Sequence, residues 1–194
     1  MRARPLRHHL GVAVLAVALA SATACTQETG GSAPAPSPTE TPTPTPSAEP
    51  VELAPGEPAS FTLRTGPGRR SRVRLAVTEV TEGRIRHLSD FVLDAEGRRS
   101  TPYYADVRVA NTGSGNLSRA RITLWGLDSS GTVRPPAEVI GSFRRCQAQR
   151  APKGFRRGRS MRTCLVYLVP RGSTLEAVQY RFDDDRPPIS WPVG

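Results

Sequence analysis

The feature that most constrains the fold of this chain is an alternation of apolar side chains with a period of two, repeated between residues 72 and 182. A period of two is typical of a β-strand with one buried face, and no window of comparable length has the spacing of an amphipathic helix. Turn signals separate the runs, and short strands with frequent turns predict an all-β fold, an antiparallel β-sandwich. The apolar members are Val73, Leu75 and Val77; Tyr103, Ala105, Val107 and Val109; Ala120, Ile122 and Leu124; Cys164, Val166 and Leu168; and Val178, Tyr180 and Phe182.

The first 25 residues are organised as an export signal. Arg2, Arg4 and Arg7 precede an uncharged apolar run at 10–20, and small residues then lead to Cys25. The run is shorter than the roughly 20 residues that a membrane-spanning helix needs. We therefore predict a cleaved signal peptide at 1–24.

The residues around the cleavage point, Ala22-Thr23-Ala24-Cys25, resemble the lipobox of bacterial lipoproteins. The resemblance implies that Cys25 carries a diacylglycerol and begins the mature chain, which would be anchored to the membrane and face outwards. The family usually has Leu where this chain has Ala22. The same small residues also fit an ordinary signal-peptidase site, which would release a soluble secreted protein with a free Cys25.

A proline-rich segment follows the cysteine. Between Gly30 and Glu52 seven prolines stand among Ala, Ser and Thr, with no large apolar side chain before Val51. Such a composition cannot bury a core and favours extended polyproline II. We predict a disordered linker at 25–50, which could hold a domain up to about 80 Å from the membrane.

The remaining residues, 51–194, are enough for one domain with one core. Four local features resemble actinobacterial secreted lipoproteins in which one immunoglobulin-like domain follows a Pro/Thr-rich stalk. The resemblance implies an immunoglobulin-like β-sandwich and an exported location, and it supplies no catalytic residue. The features are the run 103–113, the pair Cys146 and Cys164, the run 164–170, and Ile189-Ser190-Trp191.

The cysteines indicate one disulfide. If Cys25 is lipidated, Cys146 and Cys164 remain, in an exported chain with no reducing buffer around it. We predict that they pair, which contributes about 3 kcal/mol by restricting the unfolded chain. Two cysteines lack the further ligands of a closed zinc site, so no metal site is predicted.

A strongly basic segment surrounds this cysteine pair. No Asp or Glu occurs between Glu138 and Glu176, and the net charge of +10 becomes +7 when a signal peptide with three arginines and no acid is removed. Acidic head groups and phosphate-bearing wall polymers are the polyanions near such a membrane. We predict polyanion binding by this disulfide loop, the alternative being that its charge serves solubility. Its basic residues are Arg144, Arg145, Arg150, Lys153, Arg156, Arg157, Arg159 and Arg162.

Catalytic groups are scarce. His8 and His9 leave with the signal peptide, and His87 could form a triad only with Ser89 and Asp90, which are too close in sequence to converge. There is no Gly-x-Ser-x-Gly motif and no phosphate-binding glycine loop. Asp183-Asp184-Asp185 is interpreted as a solvated turn rather than a calcium site. We predict no enzymatic activity and no cofactor.

The aromatic residues are interpreted as core. Trp125 follows an alternating run and Trp191 lies in the last apolar segment, so either could pack between the sheets. The alternative is a sugar-binding platform formed by Trp125, Tyr103 and Tyr104.

Together these features predict a lipid-anchored surface protein, a non-enzymatic binding or accessory module that contacts an anionic lipid or wall polymer. The first alternative is a module that docks another exported protein. A remote alternative is a secreted hydrolase, and nucleic acid is not the expected partner.

Overall fold

The computed structural model describes residues 49–194. The predicted signal peptide, Cys25 and nearly all of the predicted linker lie outside these described residues. The unit Thr45–Gly194 contains every described strand, and the first strand begins at Val51. Within this part of the chain, no helix combines the length and the apolar character needed to cross a membrane.

The described residues form β-strands and two short 3-10 helices, Ile85–Leu88 and Gly97–Arg99, with no α-helix among them. The longest strands coincide with alternating runs of the sequence. The strands are β1 (Val51–Glu52), β2 (Ala59–Arg64), β3 (Arg70–Glu82), β4 (Thr101–Asn111), β5 (Trp125–Asp128), β6 (Val133–Arg134), β7 (Ser160–Val169), β8 (Leu175–Tyr180) and β9 (Ile189–Pro192).

Two sheets contain these strands. One has four strands in the order β2-β3-β4-β7, all antiparallel, so β2 and β7 are its edges. The other has five strands in the order β1-β9-β8-β5-β6, antiparallel except where β1 pairs parallel with β9. The all-β antiparallel sandwich predicted from the alternation is therefore confirmed.

The main core contains inward-facing side chains of both sheets. Tyr167 and Trp191 are fully buried in it, together with the apolar residues of β3 and β4. Each of these two aromatics has its polar atom satisfied, since Tyr167 Oη donates to the Leu124 carbonyl at 3.0 Å and Trp191 Nε1 donates to the Glu57 carbonyl at 2.9 Å. Trp191 fits the core prediction, whereas Trp125 is only half-buried. The members of this core among residues 49–194 lie between residues 53 and 193.

One alternating run is not a strand. Ala120, Ile122 and Leu124 are buried as the pattern predicts, but β5 begins only at Trp125. The segment instead pairs with the loop before β7: Arg119 N–H donates to the Ala151 carbonyl at 2.8 Å, and Ala151 N–H donates to the Ala120 carbonyl at 2.9 Å. Arg119 has a φ of 59°, which breaks a regular extended strand.

Candidate functional site

The outward-facing side of the four-stranded sheet is divided into two parts along its strands. Successive side chains of a strand point to opposite faces, so the residues between the core-facing positions of β4 and β7 point outwards. At one end they are apolar and at the other they are arginines. We define the covered half as Tyr104, Cys164, Val166 and Leu168, and the arginine surface as Arg64, Arg70, Arg72, Arg74, Arg108 and Arg162.

The covered half carries a second apolar cluster, beneath the segments 85–93 and 137–146. The ring of Phe143 lies 5.4 Å from that of Tyr104 and 5.5 Å from that of Phe91. Leu88, from the first 3-10 helix, is almost completely buried in the same cluster. Burial here raises the pKa of the Tyr104 hydroxyl, partly offset by the nearby positive charge of Arg145. These segments therefore shield this end of the sheet from water.

The disulfide Cys146–Cys164 fixes one of the two segments in place. Its S–S distance is 2.00 Å, and the two Cα atoms are 5.0 Å apart. Both residues are buried in the second cluster, and Gln147, next along the chain, accepts a hydrogen bond from Cys164 N–H at 3.1 Å. The pairing predicted from the cysteine count is confirmed.

His87 lies at the rim of the covered half, at 3.4 Å from Tyr104 Oη through its Nδ1 atom. Desolvation, followed by the positive charges of Arg145, Arg86 and Arg84, lowers the pKa of its imidazole. No hydrogen bond between described residues joins His87 to Ser89 or Asp90, while Ser89 Oγ lies 3.4 Å from Asp90 Oδ1. The three side chains are therefore not connected as a catalytic triad.

The arginine surface brings six exposed guanidinium groups from four neighbouring strands onto one face. The register places Arg64 opposite Arg70 and Arg108 opposite Arg162. Like charges directly across two strands are destabilising. Within residues 49–194, none of these six side chains forms an ion pair. The surface thus concentrates positive charge that the described residues do not neutralise.

Asp106 is a carboxylate on this face, at the boundary between the two halves. It pairs in register with Cys164 of β7 and with Glu79 of β3, two residues from the Arg108–Arg162 pair. Burial and the charge of Glu79 raise its pKa, and Arg162 partly offsets this effect. Arg162 is therefore close enough to influence Asp106 without forming an ion pair with it.

A groove of about 520 Å³ continues the arginine surface beyond the edge strand β2. Its lining includes Arg64, Arg70 and Arg72 together with Phe182 and Arg186. The guanidinium carbon of Arg186 lies 3.8 Å from the centre of the Phe182 ring, and its Nε donates to Asp184 at 2.8 Å. The groove thus adds a further cation beside an aromatic face.

The eight basic residues predicted to bind a polyanion are all exposed, but the fold separates Arg145 from Arg159 and Arg162. Arg162 belongs to the arginine surface, whereas Arg145 lies beside Tyr104 and His87. Arg159 lies at the other end of β4, where its carbonyl accepts a hydrogen bond from Asn111 N–H. Tyr104 and Asn111 are seven residues apart, which is about 23 Å along the strand. The loop between Arg145 and Arg159 is held to the core by buried Ala151 and Phe155.

Sequence reasoning missed the arginine surface, although it used the alternation that contains it. Arg72 and Arg74 are the polar members of the run whose apolar members are core, and Arg108 has the same position in the next run. Their outward direction follows from period two alone. That they lie beside Arg162 follows only from the pairing of β3, β4 and β7.

The remaining sequence candidates are separated by the fold. Tyr103 faces the core and Tyr104 lies in the covered half, so these two and Trp125 do not share an exposed face as a sugar platform would require. Asp183, Asp184 and Asp185 are exposed in an irregular segment, as predicted for a solvated turn. Among residues 49–194, no group of three potential metal ligands is present.

Comparison with known proteins adds no family to this description. No family model matches the chain, and no curated protein or solved structure matches it. The fold and surface therefore define an all-β, disulfide-containing domain with an exposed basic sheet face, and the functional argument rests on that geometry.

Proposed function

We propose that this protein is an exported, lipid-anchored binding module that attaches to a phosphate-bearing polyanion of the cell envelope through its arginine surface. The observation that carries the proposal is the set of six exposed arginines on one sheet face, with no ion pair among the described residues. Holding two like-charged pairs directly opposite each other costs stability, and a bound polyanion offsets that cost.

The chemistry of the surface suits phosphate. A guanidinium group presents parallel N–H donors that match two oxygens of a phosphate, and these charge-assisted bonds are stronger than neutral ones. Arg72 and Arg74 are two residues apart on β3, about 6.7 Å along the strand. An extended chain of phosphates could therefore contact them in turn and continue across the sheet to Arg108 and Arg162.

The anchoring part of the proposal rests on the sequence. The signal peptide at 1–24, lipidation at Cys25 and the linker at 25–50 would hold the domain close to anionic lipid and wall polymers. Each arginine near such a surface contributes about 1 kcal/mol, less in high salt. The alternative of a soluble secreted protein keeps the same binding surface and loses the anchor.

The immunoglobulin-like type of sandwich also belongs to this proposal. Two packed antiparallel sheets and a disulfide support it. The bridge differs from that of antibody domains, which joins the two sheets, because Cys146 joins a covering segment to the outer side of β7.

The test is binding of residues 45–194 to two phosphate sources, vesicles containing phosphatidylglycerol and soluble poly(glycerol phosphate). The test variant replaces Arg72, Arg74, Arg108 and Arg162 with Gln. A control with the same net charge replaces four exposed arginines away from the arginine surface, namely Arg86, Arg99, Arg144 and Arg171. We expect the test variant to bind about a hundredfold more weakly and the control to remain within about threefold of wild type.

The two sources separate the possible ligands. Binding to the polymer and to the vesicles identifies phosphate itself as the ligand, and binding to one source alone identifies that source. Equal losses in the test and control variants would reduce the effect to net charge and contradict a specific surface. Failure of the wild type to bind either source at low salt would overturn the proposal.

A further inference from the structure

Strand β2 forms an edge of the four-stranded sheet, and the groove of about 520 Å³ runs along it. Within residues 49–194, the main chain of Ala59–Arg64 bonds to β3 and to no other segment. The groove is lined by Thr62, which points outwards, and by Phe61, which points to the core, so it passes the open edge of the strand. A segment added there would extend the sheet along six residues of β2.

The pairing of β2 with β3 determines which main-chain groups face the groove. Thr65 N–H donates to the Arg69 carbonyl at 3.0 Å, and every second residue of an antiparallel strand bonds to the same neighbour. Phe61 and Leu63 therefore bond to β3, and the residues between them face the open side. Those residues are Ser60, Thr62 and Arg64. All three are exposed, so their main-chain groups bond to water and can exchange it for an added strand.

The two sides of this groove differ in chemistry. Its outward side carries exposed arginines, Arg64 on β2 and Arg70 and Arg72 on β3. Its inward side is apolar and includes Phe61 and Phe182, whose ring centres lie 6.1 Å apart. Residues directly opposite each other on neighbouring strands point to the same face of a sheet. A strand added beside β2 would therefore place alternate side chains near the arginines and the others against the apolar side.

The charge of the groove indicates what such a strand carries. Its lining includes four arginines and, among the described residues, no carboxylate. The nearest acidic segment is 183–185, where Asp184 is already paired with Arg186. A second copy of this chain would bring the same arginines to the contact, and like charges across strands are destabilising. The groove therefore favours acidic side chains from a different protein.

We propose that the open edge of β2 binds an extended segment of another protein in which acidic and apolar side chains alternate. The segment adds a strand to the sheet and runs antiparallel to β2, like the strand pairs already present in this sheet. Its acidic side chains contact the arginines, and its apolar side chains cover Phe61. The proposed function requires guanidinium groups and nothing from the main chain of β2, so this inference does not rest on it.

The experiment is a titration of ¹⁵N-labelled residues 45–194 with acetyl-Glu-Val-Glu-Val-Glu-amide, followed through backbone amide hydrogen exchange. We expect slower exchange at Ser60, Thr62 and Arg64, and no change at Arg171 in the turn after β7. The matched peptide acetyl-Lys-Val-Lys-Val-Lys-amide has the same length and apolar residues with the opposite charge. It should bind at least about tenfold more weakly. Equal binding by the two peptides would overturn the proposal.

Two N-methylated peptides test the strand pairing. Opposite Thr62 in an antiparallel pair, the central Glu directs its N–H to β2, whereas the Val beside it directs its N–H away. Methylation of the Glu nitrogen should weaken binding about tenfold, and methylation of the Val nitrogen less than about threefold. Equal binding by the two methylated peptides would show that no strand is added, and would contradict the proposal.

The variants Thr62→Pro and Thr62→Ala locate the site on the protein. Proline removes the N–H that faces the groove and is tolerated on edge strands, whereas alanine keeps this donor. We expect about tenfold weaker peptide binding for the proline variant and a change within about twofold for the alanine variant. Both should bind poly(glycerol phosphate) as wild type does, because the polymer contacts guanidinium groups, so the two proposals fail separately. Undiminished peptide binding by Thr62→Pro would overturn this inference.

Discussion

The covered half and the arginine surface occupy the same face of the same sheet, yet one is shielded by two chain segments and the other is open. The strands continue from one half to the other without interruption between β4 and β7. Only the outward side chains differ: Tyr104, Cys164 and Val166 at one end, Arg108 and Arg162 at the other.

This difference shows how side-chain chemistry divides a regular sheet. Apolar outward residues favour covering, since each Å² of apolar surface removed from water contributes about 25 cal/mol. Guanidinium groups oppose covering, because burying an unpaired charge is expensive. The disulfide ties the covering segment 137–146 to β7 at one end, and the arginines leave the other end exposed.

The largest expected effect comes from removing the aromatic ring that packs between the sheet and its cover. Phe143→Ala deletes contacts with both Tyr104 and Phe91 and leaves a cavity. We expect the free energy of unfolding to fall by about 3 to 5 kcal/mol, measured by denaturant titration. Val92→Ala, at a fully exposed position nearby, should change it by less than about 0.5 kcal/mol. Similar values for the two variants would show that the cover contributes no stability.

Removing the disulfide should have a slightly smaller effect on stability and none on polyanion binding. Replacing both Cys146 and Cys164 with Ser releases the loop constraint, for an expected loss of about 3 kcal/mol. Hydrogen exchange should become faster mainly in segment 137–146. Binding to poly(glycerol phosphate) should remain within about twofold of wild type, and a large loss of affinity would mean that the two halves are coupled.

A single change on the arginine surface should have the opposite sign. Arg162→Gln relieves the repulsion with Arg108 directly across the strands, so we expect a gain of about 0.2 to 1 kcal/mol in the free energy of unfolding. The same change should weaken polyanion binding. Arg171→Gln, at an exposed position between β7 and β8, serves as the control for both measurements. A variant that is destabilised, or that binds as well as wild type, contradicts this account of the surface.

The smallest effect concerns pH at the rim of the covered half. The pKa of His87 in the folded chain lies below its ordinary value of 6.5, so the unfolded chain takes up the proton first. The stabilisation is therefore complete above about pH 6.5 and decreases as the pH falls below it. Denaturant midpoints at pH 7.5 and 5.5 should show a small decrease for wild type. His87→Gln should remove that decrease, and an equal decrease in both proteins would assign it to other groups.

The sequence predicted the sheet-forming segments well where the alternation was long. The runs on β3, β4, β7 and β8 are strands. On β7 both faces are buried: the predicted run Cys164, Val166 and Leu168 lies under the covering segments, and Leu165, Tyr167 and Val169 face the main core. The run ending at Leu124 is not a strand. Its first residues bond to the loop at Ala151, and an extended loop held in this way can bury alternate residues as a strand does. Periodicity reports burial, and it cannot distinguish a strand from an extended loop.

The candidate site was only partly predictable. Cysteine count and compartment were enough for the Cys146–Cys164 bridge, because only one pairing was left. The basic residues around it were counted by sequence proximity, which grouped Arg145 with Arg162 although the fold separates them. The arginine surface depends on register between strands distant in sequence, and a single sequence does not specify register.

The salt dependence of binding tests most directly whether the arginine surface or the disulfide loop holds the polyanion. Affinity for poly(glycerol phosphate) would be measured across a salt series for wild type and two variants of equal charge. One replaces Arg72, Arg74, Arg108 and Arg162 with Gln, and the other replaces Arg144, Arg145, Arg156 and Arg157. Each lost phosphate contact reduces the slope of log affinity against log salt by about 0.7 to 0.9. We predict a decrease of about 3 for the first variant and less than about 1 for the second, and the reverse order would contradict the account.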